Sequence, residues 1–289
     1  MNVRKSSINQ SEKLEPFESL IGDLTENPKF QVKNEPIEDH PKVSIVIPVY
    51  NEEDTIENLI NKIPRKENYH IVIVNDGSTD NSFRILNSIN NREFEIINHT
   101  RNKGYGAAVS TGINFSNKQN SDIIILLDGD GQHDPKYIPK FVELIIKKGY
   151  EFVIGNRFLY PYAISTCKKL CSKIISSFYF FFLHKKIQDP TNGFRALSSK
   201  VIKNLVLESD YSISQEMLLK ILPIYKFKEV PMRLYNRVNG KSFIRIPKYF
   251  YNMLLIILKY HVFPKIKIIF DYMLSEDTRK FIGRDILKT

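Results

Sequence analysis

From Val43 onward the chain repeats one pattern: a short apolar run, a polar turn, then apolar residues at helical spacing. The runs VSIVIPV (43–49), YHIVIV (69–74), FEIIN (94–98), DIIILL (122–127) and FVI (152–154) are predicted strands. Between the first two, Ile56, Leu59, Ile60 and Ile63 recur at i, i+3, i+4 and i+7, with Asp54 placed to cap that helix. Ile138, Phe141, Val142 and Ile145 repeat the spacing between the fourth and fifth runs. Strands that are apolar throughout need cover on both faces, and helices between consecutive strands supply it. The expected fold class is therefore α/β, a mostly parallel sheet with helices on both faces.

The flanks read differently. Residues 1–40 carry five basic and eight acidic side chains and include Pro16, Pro28 and Pro36. That composition predicts a loosely ordered polar extension with a short helix near Phe17 to Leu24. After Arg157 the regular alternation stops. The runs IISSFYFFFL (174–183) and YFYNMLLIILKYHVF (249–263) fall short of the ~20 apolar residues that span a bilayer. Lysines flank or interrupt both, which predicts helices lying in a membrane interface, with two buried core helices as the alternative. The chain is thus expected to divide into a polar extension (1–40), an α/β domain (41–243) and a C-terminal helical, membrane-associating segment (244–289). Cys167 and Cys171 sit four apart, no secretory signal precedes them, and no other cysteine completes a metal site, so they read as reduced thiols.

Net charge is +10, and its distribution matters more than its size. Arg157 to Lys203 holds nine basic residues against a single acid, Asp189. Such a segment points to partners bearing phosphate or anionic lipid, a solvated basic face being the plain alternative. No nucleic-acid partner is expected, because the basic residues interleave with long apolar runs and no nucleic-acid motif is present.

In a doubly wound sheet, ligands bind beyond the carboxyl ends of the strands. The turn after the fourth strand, Asp128-Gly129-Asp130-Gly131-Gln132-His133, carries the sharpest signal. Asp128 and Asp130 can offer oxygens to one hard divalent cation, Mg²⁺ or Mn²⁺, with Gln132 as a neutral third ligand. A cation bridging a diphosphate relieves the repulsion between the two carboxylates and neutralises a departing nucleoside diphosphate. An EF-hand is excluded, since its required glycine position is His133 and its twelfth position is Pro139. The glycines of GYG (104–106) begin a dinucleotide fingerprint whose third position is Val109, which disfavours a nicotinamide or flavin site, and no Walker A motif occurs. Asp76, after the second strand, could accept from a base N–H or a ribose hydroxyl.

IPVYNEE (47–53), VNDGSTD (74–80), NKGYGAAVSTG (102–112), DGDGQHDP (128–135), IGNRF (154–158), DPTNGFR (189–195) and EVPMRLYNR (229–237), taken together, resemble the inverting family 2 glycosyltransferases. The similarity is greatest to the polyprenyl-phosphate branch, which includes dolichyl-phosphate mannose and glucose synthases. It spans about Val43 to Ser242. The resemblance implies a GT-A fold, a Rossmann-like sheet in one domain. By position it implies that Pro48, Tyr50, Glu52, Asp76, Lys103 and Gly104 belong to the nucleotide side. Asp128, Asp130 and Gln132 would hold metal and diphosphate, with Gly129 on the nucleotide side. Three positions depart from the family pattern: Asn75 stands where Asp is commoner, GNR replaces GSR, and Lys168-Lys169 replace a frequent arginine pair ahead of Ser172. Lysine supplies a point charge where arginine binds phosphate bidentately.

The implied reaction moves a hexose, mannose or glucose, from GDP-mannose or UDP-glucose to a polyprenyl or dolichyl phosphate, feeding glycan assembly. A lipid phosphate arrives already anionic, so its charge must be held against the donor diphosphate; Arg157, Lys169, Ser172, Arg195 and Arg237 are the expected acceptor-phosphate residues. Asp130, Asp189, Glu216 and Arg157 are the expected catalytic residues. For Asp189 the alternative is a salt bridge ordering Arg195. For Glu216 it is a first-turn helix acid beside a Ser212–Gln215 capping box. The competing activity is transfer to a glycan or other hydroxyl, which needs a carboxylate base. The expected location is the cytoplasmic face of a membrane, peripheral or monotopic. Whether a membrane partner subunit adds an anchor is left open by the residues.

Overall fold

β1 (Val43–Val49) is buried along its whole length. It pairs in parallel with β2 (Tyr69–Asn75) on one side and β4 (Ile123–Leu126) on the other. The structure is a computed structural model and describes residues 40–89, 94–159, 166–208 and 212–235, with 251, 255–256 and 258–262. The sequence readings for residues 1–39 and for Arg237 lie outside these, as does most of the C-terminal segment. Among the described residues one seven-stranded sheet forms in the order β3-β2-β1-β4-β6-β5-β7. β3 (Phe94–Asn98) lies parallel to β2, and β5 (Phe152–Asn156) lies parallel to β7 (Phe227–Pro231). β6 (Arg195–Ser198) runs antiparallel to both of its neighbours. After β3 the chain crosses back over β2 and β1 to lay down β4, so the crevice between the carboxyl ends of β1 and β4 is the topological switch point.

Successive β1 side chains leave opposite faces of the sheet. Val43, Ile45, Ile47 and Val49 pack with α1 (Ile56–Lys62) and α4 (Ile138–Lys148) through Ile56, Leu59, Ile60, Phe141 and Ile145. Val46, on the other face, packs with α3 (Tyr105–Lys118), α5 (Thr166–Leu183), α6 (Ser199–Asn204) and α7 (Ile213–Ile221). A short helix α2 (Ser82–Ile89) joins β2 to β3. Both faces are covered, which is why β1 and β4 read as unbroken apolar runs.

Two local readings are corrected. Asp54 does not cap α1: Thr55 holds the N-cap position, and its hydroxyl donates to the Gly129 carbonyl at 2.9 Å, tying α1 to the turn after β4. Ser212 is the N-cap of α7 but makes no side-chain capping bond, so the capping box is not formed. β6 and β7 carry weak strand patterns: β6 opens on a buried arginine, and β7 buries only Val230 of its five residues. The run 174–183 belongs to an 18-residue helix that is neither wholly buried nor wholly exposed: Ile175 and Tyr179 enter the core, whereas Phe180 and Phe181 are 60% and 74% exposed. Among the described residues no helix is long and apolar enough to cross a membrane.

Candidate active site

Three turns meet at the switch point. After β1, Asn51 takes a positive φ of 56°, and its amide nitrogen and side chain bond Ser78 and Thr79 of the turn after β2. Glu52 donates its backbone N–H to the Ser82 hydroxyl at 2.8 Å. Pro48 is buried beneath this turn and its carbonyl faces Gly129, so the first and fourth turns are in contact. Tyr50 and Glu52 are partly exposed at the rim, and Lys103 is exposed.

Asp76 is 2% exposed. One of its oxygens accepts from His99 Nδ1 at 2.7 Å and Lys103 N at 2.9 Å; the other accepts from Gly104 N at 2.8 Å. His99 Nε2 stands 3.0 Å from the Thr111 hydroxyl on α3. The carboxylate therefore fixes the loop entering α3. Gly104, at φ 97° and ψ 158°, turns the chain into the helix in a conformation only glycine adopts without strain.

Asp128 and Asp130 follow β4 directly. Tyr105, the first residue of α3, donates its hydroxyl to Asp128 Oδ1 at 2.8 Å. Asp128 Oδ2 lies 3.6 Å from His133 Nδ1, and a Cβ at Gly193 would collide with this carboxylate, so the 189–195 loop rests on it. Asp130 Oδ1 accepts from the Gln132 amide at 3.1 Å. Gln132 commits its side-chain nitrogen to the Tyr235 carbonyl, so its amide oxygen is the atom that could meet a cation. His133 is 5% exposed, and neither ring nitrogen has a partner in hydrogen-bonding geometry. Burial, with a further push from Arg157, lowers its pKa to about 4, against the opposing pull of Asp130.

The donor set suits a hard cation. Among the described residues no group of three or more His, Cys, Asp or Glu converges. Two carboxylates and an amide oxygen nonetheless match the way Mg²⁺ is held in phosphate chemistry, where substrate oxygens and water complete the shell.

Beyond β5, Arg157 donates from Nε and Nη2 to the two oxygens of Asp189 at 2.7 Å each, and from its amide to Oδ2 at 2.9 Å. Nη2 also reaches the Thr191 hydroxyl. Asp189 is fully buried, and its ion pair is with Arg157, while the Arg195 guanidinium donates to backbone carbonyls. Glu229 accepts from the backbone of Gln188 and Asp189 and from Asn156; burial raises its pKa.

Several expected residues are placed elsewhere. Arg195 is 1% exposed and spends its guanidinium on the carbonyls of Pro190, Asn192 and Ser214, which makes it a brace for the 189–195 loop. Glu216 is fully buried on α7, accepting from Glu208 N, Lys220 and Tyr260, none of them part of the carboxylate turn. Lys169 is exposed on α5. Ser172 is buried there, and Ser176, one turn on, donates to the Gln188 carbonyl beside Asp189. Tyr105, His99, His133 and Gly193 were not singled out from sequence for a role. Their only signal was adjacency: Tyr105 lies inside GYG and His133 directly after Gln132.

A carboxylate pair at the switch point of a mostly parallel sheet, beside a tight loop held by a buried aspartate, is the architecture of a glycosyltransferase of the GT-A fold. The family model described as glycosyl transferase family 2 matches residues 44–206, and the chain belongs to that family. It is a glycosyltransferase. It is 28% identical over 239 residues to the UDP-N-acetylglucosamine–dolichyl-phosphate N-acetylglucosaminyltransferase of Methanococcus voltae, covering 74% of this chain and 95% of that one. Identity to the dolichol-phosphate mannosyltransferase of Pyrococcus furiosus is 32% over 211 residues, covering 70% and 58%. Among solved structures, glucosyl-3-phosphoglycerate synthase from Mycobacterium tuberculosis, in complex with Mn²⁺, uridine diphosphate and glucosyl-3-phosphoglycerate, superposes with a TM-score of 0.62. It is 16% identical, with 76% of this chain and 80% of that one covered. At that identity the likeness is one of fold.

Proposed function

We propose that this enzyme transfers a hexose, mannose or glucose, with inversion from GDP-mannose or UDP-glucose to a polyprenyl or dolichyl phosphate at the cytoplasmic face of a membrane. The observation that carries the reading is the pair Asp128 and Asp130 at the switch point, Asp128 held by Tyr105 and the Gly193 loop and Asp130 by the Gln132 backbone N–H. Asp128, Asp130 and Gln132 would hold Mg²⁺ or Mn²⁺, which when bound neutralises charge on the departing diphosphate. Asp76 keeps the 103–104 amides in place on the nucleotide side. Across the crevice Arg157, oriented by Asp189, supplies positive charge toward the acceptor. Asp189 has both oxygens committed to Arg157, which argues against its acting as the base that a hydroxyl acceptor requires. An anionic lipid phosphate needs no such base. Relatives named for dolichyl-phosphate acceptors support the same choice.

The test is incubation with radiolabelled UDP- and GDP-sugars, UDP-N-acetylglucosamine included, and polyprenyl phosphate, followed by organic extraction. Label is expected in the organic phase, reduced at least about a hundredfold by Asp128→Ala. Label confined to an aqueous glycan fraction would overturn the lipid acceptor.

A further inference from the structure

The loop between β3 and α3 joins two parts of the site that lie far apart in sequence. Asp76 accepts three hydrogen bonds from it, at 2.7, 2.9 and 2.8 Å, and Gly104 then turns the chain so that Tyr105 opens α3. Tyr105 is 41% exposed, so packing alone does not explain its placement. Its hydroxyl ends 2.8 Å from Asp128 Oδ1. The terminal torsion of an aspartate is broad and nearly two-fold, so without a directional partner its oxygens exchange places. Here Oδ1 has that partner, while Oδ2 faces the Gly193 backbone and His133.

We propose that Tyr105 is a positioning residue that sets the orientation of the Asp128 carboxylate toward the cation and ties it to the nucleotide loop held by Asp76. The proposal rests on the metal-and-nucleotide reading above. Partners that orient a ligating group typically contribute tenfold or more to metal affinity. Asp128 is thereby pre-set whenever the 103–104 loop is in place, so the nucleotide side and the metal side of the site form one rigid unit.

The experiment titrates Mn²⁺ into the full chain, alone and with UDP or GDP, following loss of the free-ion electron paramagnetic resonance signal. Tyr105→Phe is expected to weaken Mn²⁺ binding about tenfold. Its turnover should rise back toward wild type as Mn²⁺ is raised, because the defect lies in affinity. If Tyr105→Phe binds Mn²⁺ as wild type does, while Asp128→Ala abolishes binding, the Tyr105 role is overturned and the metal site stands. A lowered turnover that Mn²⁺ does not recover, at unchanged affinity, overturns it equally and marks a purely structural role. Wild-type protein with no Asp128-dependent Mn²⁺ binding overturns both proposals.

Discussion

Arg157 and Arg195 act on opposite ends of the 189–195 loop and have different fates. Arg157 is paired with a carboxylate at the edge of the site; Arg195 is sunk among backbone carbonyls and braces the loop from below. His133 is the residue whose burial carries a measurable consequence. With a folded pKa of about 4 against an ordinary 6.5, the imidazole binds a proton more weakly in the folded protein than in the unfolded chain. Its contribution to stability is complete above pH 6.5 and is lost as pH falls toward 4, at up to about 1.4 kcal/mol per pH unit. Urea unfolding of metal-free protein across that range checks this: the wild-type dependence should exceed that of His133→Asn by close to one proton. Parallel pH profiles would sink the assignment.

At the scale of elements, α5 presents two different faces. Ile175 and Tyr179 anchor it to the sheet, and the Tyr179 hydroxyl donates to Gln215 Oε1 on α7. Leu170, Ile174, Phe180 and Phe181 stand exposed, and Lys169, Lys173 and Lys186 are exposed along the same stretch. An apolar stripe with cationic flanks is the composition of a helix that lies in a bilayer interface. Each phenylalanine that leaves water is worth about 1.5–3 kcal/mol. Replacing Phe180 and Phe181 together by serine should therefore reduce sedimentation with anionic phospholipid vesicles at least about tenfold, with the melting midpoint little changed. Undiminished sedimentation of the double variant would remove α5 from the membrane-facing surface.

At the scale of the molecule, the described part of the C-terminal segment is bound to the catalytic domain. Ile256 is buried in the α7 face of the core, and the Tyr260 hydroxyl lies 3.0 Å from both Glu216 Oε1 and Glu208 Oε2. Lys259 pairs with Glu208, and Lys220 lies over the Tyr260 ring. Glu216, expected at the sugar, is the buried acid of this clasp. Deleting residues 244–289 removes Ile256 and Tyr260, a loss of about 2–3 kcal/mol by burial and hydrogen bonding, which lowers the melting midpoint of a domain this size by about 5–10 °C. Differential scanning calorimetry of the truncated chain measures it; an unchanged midpoint would mean that the clasp contributes nothing to stability.

Sequence alone determined the sheet's central strands and the rim on which the chemistry sits. A strand buried on both faces must be apolar throughout, and a polar turn at its carboxyl end must then face the switch point, so β1, β4 and Asp128-Asp130 were legible residue by residue. The family followed from motifs in those turns. What only the tertiary structure decided is the partner of each charge. Whether a carboxylate is a ligand, a brace or a clasp depends on which distant backbone or side chain fills its lone pairs. Asp189 to Arg157, Glu216 to Tyr260, and Tyr105 to Asp128 are 32, 44 and 23 residues apart. No spacing rule encodes separations of that kind. The edge strands β6 and β7 were hidden for a related reason: their pairing comes from neighbours that fold against them, more than from their own weak apolar patterns.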